Sequence, residues 1–280
     1  MSGTAEATVT RVRSSDGTEI AVFVSGSGRP LVVVPGTTSD HTTWRFTLPY
    51  LEGHLAVHAV DRRGRGESGD GPDYSIAKEY ADVAAVVDAA AAATGSPVDL
   101  LGHSFGGNVA FGAATLTTNI RRLLLYEGWP APDIAHRALP AKVMARMETL
   151  LSQGRPEQML ETCYREIVKL SEQEIGGIKA APTWSARVAA AGTVPRELLA
   201  FADQAFDPAW AARIRVPVLL LVGSESPLEI KADPEVVAAA LPDAGIQVLE
   251  GQAHMAHLND PETFAGHVLA FLRDKEGGVR

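Results

Sequence analysis

The sequence predicts an α/β protein: a mostly parallel sheet of about eight strands, helices on both faces, and a helical segment let into it. Three observations carry this. Short, continuous apolar runs recur, of the kind that strands buried on both faces require. They alternate with stretches of helical spacing, the mark of βαβ units. From 129 to 212 the alternation stops, and only helix-prone sequence remains, punctuated by prolines at 130, 132, 140, 156, 182, 195 and 208.

Each element follows in order. TVTRVR, SSDG and TEIAVFVSG read as a hairpin turning at Asp16-Gly17. LVVVPG (31–36) and LAVHAVD (55–61) are the first buried strands, with a short helix holding Trp44 and Phe46 between them. Ile76, Tyr80, Val83, Val87 and Ala90 recur at three and four, so 75–94 is a helix that Gly95 ends. PVDLL (97–101) is a strand, a helix starts at Ser104, and IRRLLLY (120–126) is the next strand. The pattern resumes with VPVLLLVG (216–223), a helix near 233–241, GIQVLEG (245–251) and a last helix over 261–273. The expected organisation is therefore a core of 1–128 and 213–280 with a helical cap over 129–212.

The totals narrow the function. A chain of 280 residues with 46% hydrophobic content can bury a sizeable core. A net charge of −9 argues against nucleic acid or an anionic membrane as partner. The single cysteine, Cys163, excludes an internal disulfide and a thiolate metal cluster. MSGTAEATVT has neither the basic nor the apolar part of a signal peptide, and no apolar run approaches the roughly 18 residues of a membrane span. The expectation is a cytoplasmic protein acting on a small molecule, with self-association as a homodimer left open.

GHSFGG (102–107) carries the chemistry. On a sharp strand-to-helix turn the central residue is forced into a strained backbone, and only small residues fit two positions away on either side. Such a turn lifts Ser104 above the sheet edge, at a helix N-terminus that favours negative charge. Gly102-His103-Ser104-Phe105-Gly106 fits the G-x-S-x-G nucleophile elbow in its strand–turn–helix setting.

With LVVVPG, DRRGRGESG and GQAHMAHLNDPETF, this motif makes the chain resemble the α/β-hydrolase family, in its cap-bearing esterase-like branch. The resemblance covers nearly everything outside the cap. It implies an oxyanion hole made by the backbone N–H groups of Phe105 and Thr37, the latter in a Pro-Gly loop where many relatives have His-Gly. It implies His254 as general base, with His257, three residues on, as the other candidate. His103 is expected to be structural, and His41, near the oxyanion loop, to line the pocket.

The orienting acid has two candidates. The family's usual position, after VPVLLLVG, falls on Ser226, which cannot carry the charge; Glu225 stands one residue before it. Glu127 follows IRRLLLY, where some relatives, such as haloalkane dehalogenases, carry their acid. Both fit the chain order Ser, acid, His.

The loop Asp61–Gly69 lacks the lysine and hydroxyl of a phosphate-binding loop and is expected to hold the fold by ion pairs. No metal-ligand spacing and no dinucleotide motif is present, so no cofactor is expected. Of Trp129, Trp184, Trp210 and Tyr164, some are expected to wall an acyl or alcohol pocket and most to form the cap's own small core and its contact with the sheet. The resulting expectation is a serine hydrolase of small esters, lactones or thioesters, working through an acyl-enzyme. The alternative is a non-hydrolytic receptor, lyase or acyltransferase of the same fold, which the serine at 226 keeps open. An aspartate-nucleophile mechanism is excluded by Ser104.

Overall fold

A computed structural model describes residues 7–133, 135 and 138–273. The N-terminal stretch read for a leader falls largely outside these residues, as do three positions of the 129–212 segment and the last seven residues. The sheet has eight strands in the order β1-β2-β4-β3-β5-β6-β7-β8. β1 (Thr8–Arg13) and β2 (Glu19–Gly26) form the antiparallel hairpin, and β2 pairs antiparallel with β4 (Leu55–Val60). From β4 onward every pairing is parallel, through β3 (Arg29–Val34), β5 (Val98–His103), β6 (Ile120–Tyr126), β7 (Val218–Gly223) and β8 (Ala244–Leu249). Only helices lie between β6 and β7 among the described residues.

The apolar runs are continuous because both faces of the sheet are covered. Along β3, Val32 and Val34 pack with the helices Ile76–Thr94 and Phe105–Ala113 on one side, while Leu31 and Val33 pack with Trp44, Leu51 and the helix Pro261–Leu272 on the other. The helix Ile76–Thr94 starts under the Ser75 side chain and stops at Gly95, whose φ of 68° is left-handed. The expected helix around Trp44 is a single 3-10 turn, His41–Trp44, and Phe46 falls beyond it and is exposed. The segment between β6 and β7 builds a separate core from Met144, Met147, Met159, Leu160, Cys163 and Ile175, joined by Met255.

Topology places the site. The chain adds β4 on one side of β3 and β5 on the other, so the carboxyl ends of β3 and β5 are neighbours at the point where strand order reverses. In open parallel sheets that crevice is where ligands bind.

Candidate active site

Ser104 sits at the end of β5 as the N-cap of the helix Phe105–Ala113, with φ 55° and ψ −128°, a conformation L-residues adopt only under constraint. The constraint is close backbone packing. A Cβ on Gly106 would lie 2.4 Å from the carbonyl oxygens of Val34 and Pro35, and one on Gly128 would lie 1.9 Å from the Ser104 oxygen. The elbow is thus pressed between the ends of β3 and β6. Phe105 N–H is the first donor of its helix and has no carbonyl a turn earlier in that helix.

Glu127 follows β6 directly and is 5% exposed, with φ 44°. One carboxylate oxygen, Oε1, accepts from Gly223 N–H at 2.7 Å; the other, Oε2, lies 2.7 Å from His254 Nδ1. An ionised carboxylate only accepts, so Nδ1 carries the hydrogen and Nε2 is left with its lone pair. His254 is 5% exposed and its loop is clamped by Tyr126, whose hydroxyl donates to Ala253 O and accepts from Ala256 N–H at 3.0 Å. His103 Nε2 donates to the His254 carbonyl at 2.9 Å. Thr37, Ser104, Phe105, Glu127 and His254 line one cavity of about 320 Å³.

Of the two glutamates open in the sequence, the structure brings Glu127 to His254. Glu225 is corrected: it is exposed, its Oε1 accepts from the neighbouring Ser224 hydroxyl at 3.1 Å, and His254 Nδ1 is already taken. His257 is fully buried, with Nε2 3.2 Å from Thr43 Oγ1. Burial first, then His254, Arg187 and Arg45, push it down to about 3, so it is neutral and walled in rather than poised as a base. His103 is also held well below its ordinary value, chiefly by burial. His41 does not line the cavity: it stacks on Phe23 at 3.4 Å and meets Asp61 Oδ1 at 2.8 Å, because that buried carboxylate at the end of β4 is the strongest acceptor within reach.

The Asp61–Gly69 loop is an ion-pair scaffold that also reaches the site. Arg63 grips Asp82 with two bonds of 2.7 Å. Arg62 pairs with Glu79 at 2.8 Å and Glu197 at 2.9 Å, and donates to Pro35 O at 2.9 Å and Gly36 O at 3.1 Å. Arg65 pairs with Glu197 and donates to Ser39 O at 3.2 Å. Glu197, 0% exposed on the helix Val194–Ala202, also accepts from Thr37 Oγ1 at 2.8 Å. Tyr164, at the start of the π-helical turn Tyr164–Val168, donates to Thr38 Oγ1 at 2.9 Å. The loop after β3 is therefore fastened from below by arginines and from above by the helices between β6 and β7.

Sequence reasoning missed Glu197. The signal was a carboxylate on the helix face that buries Val194 and Leu198. Trp129 lines the cavity and bonds Ala232 O at 2.8 Å; Trp210 packs on Tyr80 and Phe111, in the layer against the sheet. Among the described residues, Asp40, His41 and Asp61 bring three ligand-type atoms within 4.8 Å. Their oxygens already serve local donors: Asp40 caps Thr42 N–H at 2.9 Å, and Asp61 accepts from His41 N–H and Glu67 N–H at 2.8 Å each.

The sequence matches the model of the alpha/beta hydrolase family over residues 31–267. An alpha/beta hydrolase from Sphaerobacter thermophilus of known crystal structure superposes with a TM-score of 0.81 at 32% identity, covering 94% of this chain and all of that one (100%). The (E)-2-((N-methylformamido)methylene)succinate hydrolase of Acinetobacter baylyi is 26% identical over 252 residues, 89% of this chain and 92% of that protein. The N-formylmaleamate deformylase of Pseudomonas putida is 38% identical over 120 residues, 42% of this chain and 44% of that protein, so the match spans less than half of its length. Among the described residues, no helix is long and apolar enough to cross a membrane.

Proposed function

Because this chain belongs to the alpha/beta hydrolase family, we propose that it is a serine hydrolase cleaving a small acyl compound, with Ser104, His254 and Glu127 as its triad. The observation that carries this reading is the 2.7 Å contact between Glu127 and His254 Nδ1, at the wall of the cavity that Ser104 lines.

The steps follow from the atoms. His254 Nε2 takes the Ser104 hydroxyl proton as Oγ adds to the substrate carbonyl. The oxyanion is held by the Phe105 and Thr37 N–H groups, and Glu127 stabilises the imidazolium. Collapse breaks the bond to the leaving group, which departs with the proton from His254. Water, deprotonated by the same nitrogen, adds to the acyl-enzyme; the acid leaves and Ser104 regains its proton. The helices between β6 and β7 act as a cap that shapes the pocket for a small-molecule substrate. Carboxylic esters, lactones and thioesters suit this chemistry. The names of the bacterial relatives extend it to formyl amide bonds. The non-hydrolytic reading rested on the serine at 226, and Glu127 supplies the carboxylate that Ser226 lacks.

A fluorophosphonate probe and 4-nitrophenyl butyrate test the proposal together. Wild-type protein should label and turn over, and Ser104→Ala should do neither. Labelling retained in that variant overturns the assignment.

A further inference from the structure

We infer that Arg187 forms a carboxylate-binding subsite beside Ser104, so that the preferred substrates are acyl compounds carrying a free carboxylate within a few bonds of the scissile carbonyl. The inference rests on the serine-hydrolase reading for the bond that is cleaved, and on separate observations for the charge.

Arg187 lies on the short helix Trp184–Ala189 and is 5% exposed. Its Nη1 donates to Thr38 O at 3.2 Å, Thr38 Oγ1 at 3.0 Å and Ser39 Oγ at 2.8 Å, all neutral acceptors. No carboxylate pairs with it among the described residues, whereas Arg62, Arg63 and Arg65, equally buried, each face at least one. A guanidinium cannot shed its proton, and a buried one without a counter-charge is costly. The surroundings register the excess. Arg45 is held below its ordinary value, by burial first and then by Arg187.

Arg187 also sits where a ligand would meet it. A space of about 30 Å³, the size of one water, is bounded by Gly36, Ser104, His254, Met255 and Arg187. Ile178, Arg187 and Met255 also line a larger cavity of about 580 Å³, shared with Arg45 and Asn259. The acid on that wall, Glu174, is folded back onto Ser171, accepting from its N–H at 2.8 Å and its hydroxyl at 2.7 Å. On the other side of Ser104 the 320 Å³ cavity is walled mostly by apolar side chains, among them Phe105, Trp129, Leu139, Ile167 and Phe201. A substrate straddling the serine would place an apolar arm there and an anionic arm against Arg187, where a planar fork matches a carboxylate.

The test compares the monoanionic 4-nitrophenyl half-ester of glutarate with neutral 4-nitrophenyl pentanoate, which has the same acyl length. Arg187→Gln should lower kcat/KM for the half-ester at least tenfold more than for the pentanoate, mainly through KM, and Arg187→Lys should recover part of the difference. Equal losses on both esters overturn the subsite and leave Arg187 as a brace for the loop after β3. Calorimetry on Ser104→Ala, which needs no turnover and keeps Arg187, should show glutarate binding and no binding of neutral glutaramide. Equal binding of the two, or of neither, overturns the proposal even if Arg187→Gln does not fold. A wild-type protein that binds glutarate but cleaves neither ester leaves the subsite standing and overturns the hydrolase reading; cleavage of the neutral ester without glutarate binding does the reverse.

Discussion

β6 and β7 lie side by side, run in the same direction, and each delivers a glutamate just beyond its last residue. Glu127 N–H still bonds to β7, at Leu221 O (3.1 Å), and Glu225 N–H to the chain beyond β8, at Gln252 O (2.9 Å). Their side chains nevertheless end in opposite surroundings. Glu127 takes a left-handed backbone directly after the strand, and the Gly128 that follows leaves no room for anything but the Ser104 carbonyl. Its carboxylate is thereby turned inward and closes two donors, Gly223 N–H and His254 Nδ1. Glu225 comes after Gly223, whose N–H that same carboxylate has already taken, and it is exposed. The difference teaches that which strand-end carboxylate reaches His254 is decided by where the backbone bends and what the bend buries, not by its distance along the chain from Ser104.

The sharpest way to break the comparison is Glu127→Gln. The amide can offer His254 Nδ1 a donor and so favour the wrong tautomer, and kcat on 4-nitrophenyl butyrate should fall roughly 10³- to 10⁴-fold with the fold retained by circular dichroism. Next in size is Glu197→Gln, which leaves Arg65 buried without a carboxylate while Arg62 keeps Glu79. Urea denaturation should show a loss of about 3–5 kcal/mol.

A smaller effect concerns the histidines behind the proposed triad. His257 has a folded value of about 3 against an ordinary 6.5. Above pH 6.5 neither state holds the proton and the group contributes nothing. Below it the unfolded chain gains a proton the native state refuses, so stability should fall by about 1.4 kcal/mol per pH unit toward pH 3. His103 acts in the same direction. Urea melts from pH 6.5 to 4.5 should show this slope, and His257→Gln should lessen it while the His103 share remains. The smallest expected effect is Glu225→Gln: kcat/KM should stay within about twofold of wild type, as for an exposed surface site. A loss there matching that of Glu127→Gln would invert the comparison.

Much of the fold could be read from the chain, because strands buried on both faces leave unbroken apolar runs and Ser104 announces itself by its flanking glycines. The carboxylate that meets His254 could not, since both glutamates satisfy the same chain order and only the bend after Tyr126 separates them. His41 was misplaced because its partner Asp61 is 20 residues away and buried. Glu197 and Arg187 were missed for a similar reason: each looks like an ordinary charged residue of an amphipathic helix until tertiary packing delivers its partners, well over 100 residues distant.

The fastening of Val194–Ala202 to the loop after β3 bears on how molecules come and go. Raising that helix as a lid would tear Glu197 from two arginines and leave Arg65 without a carboxylate, while Arg62 keeps Glu79. That helix is thus held over the loop after β3 by charge as well as by apolar contact, and any motion that parted the two would cost a buried arginine its counter-ion.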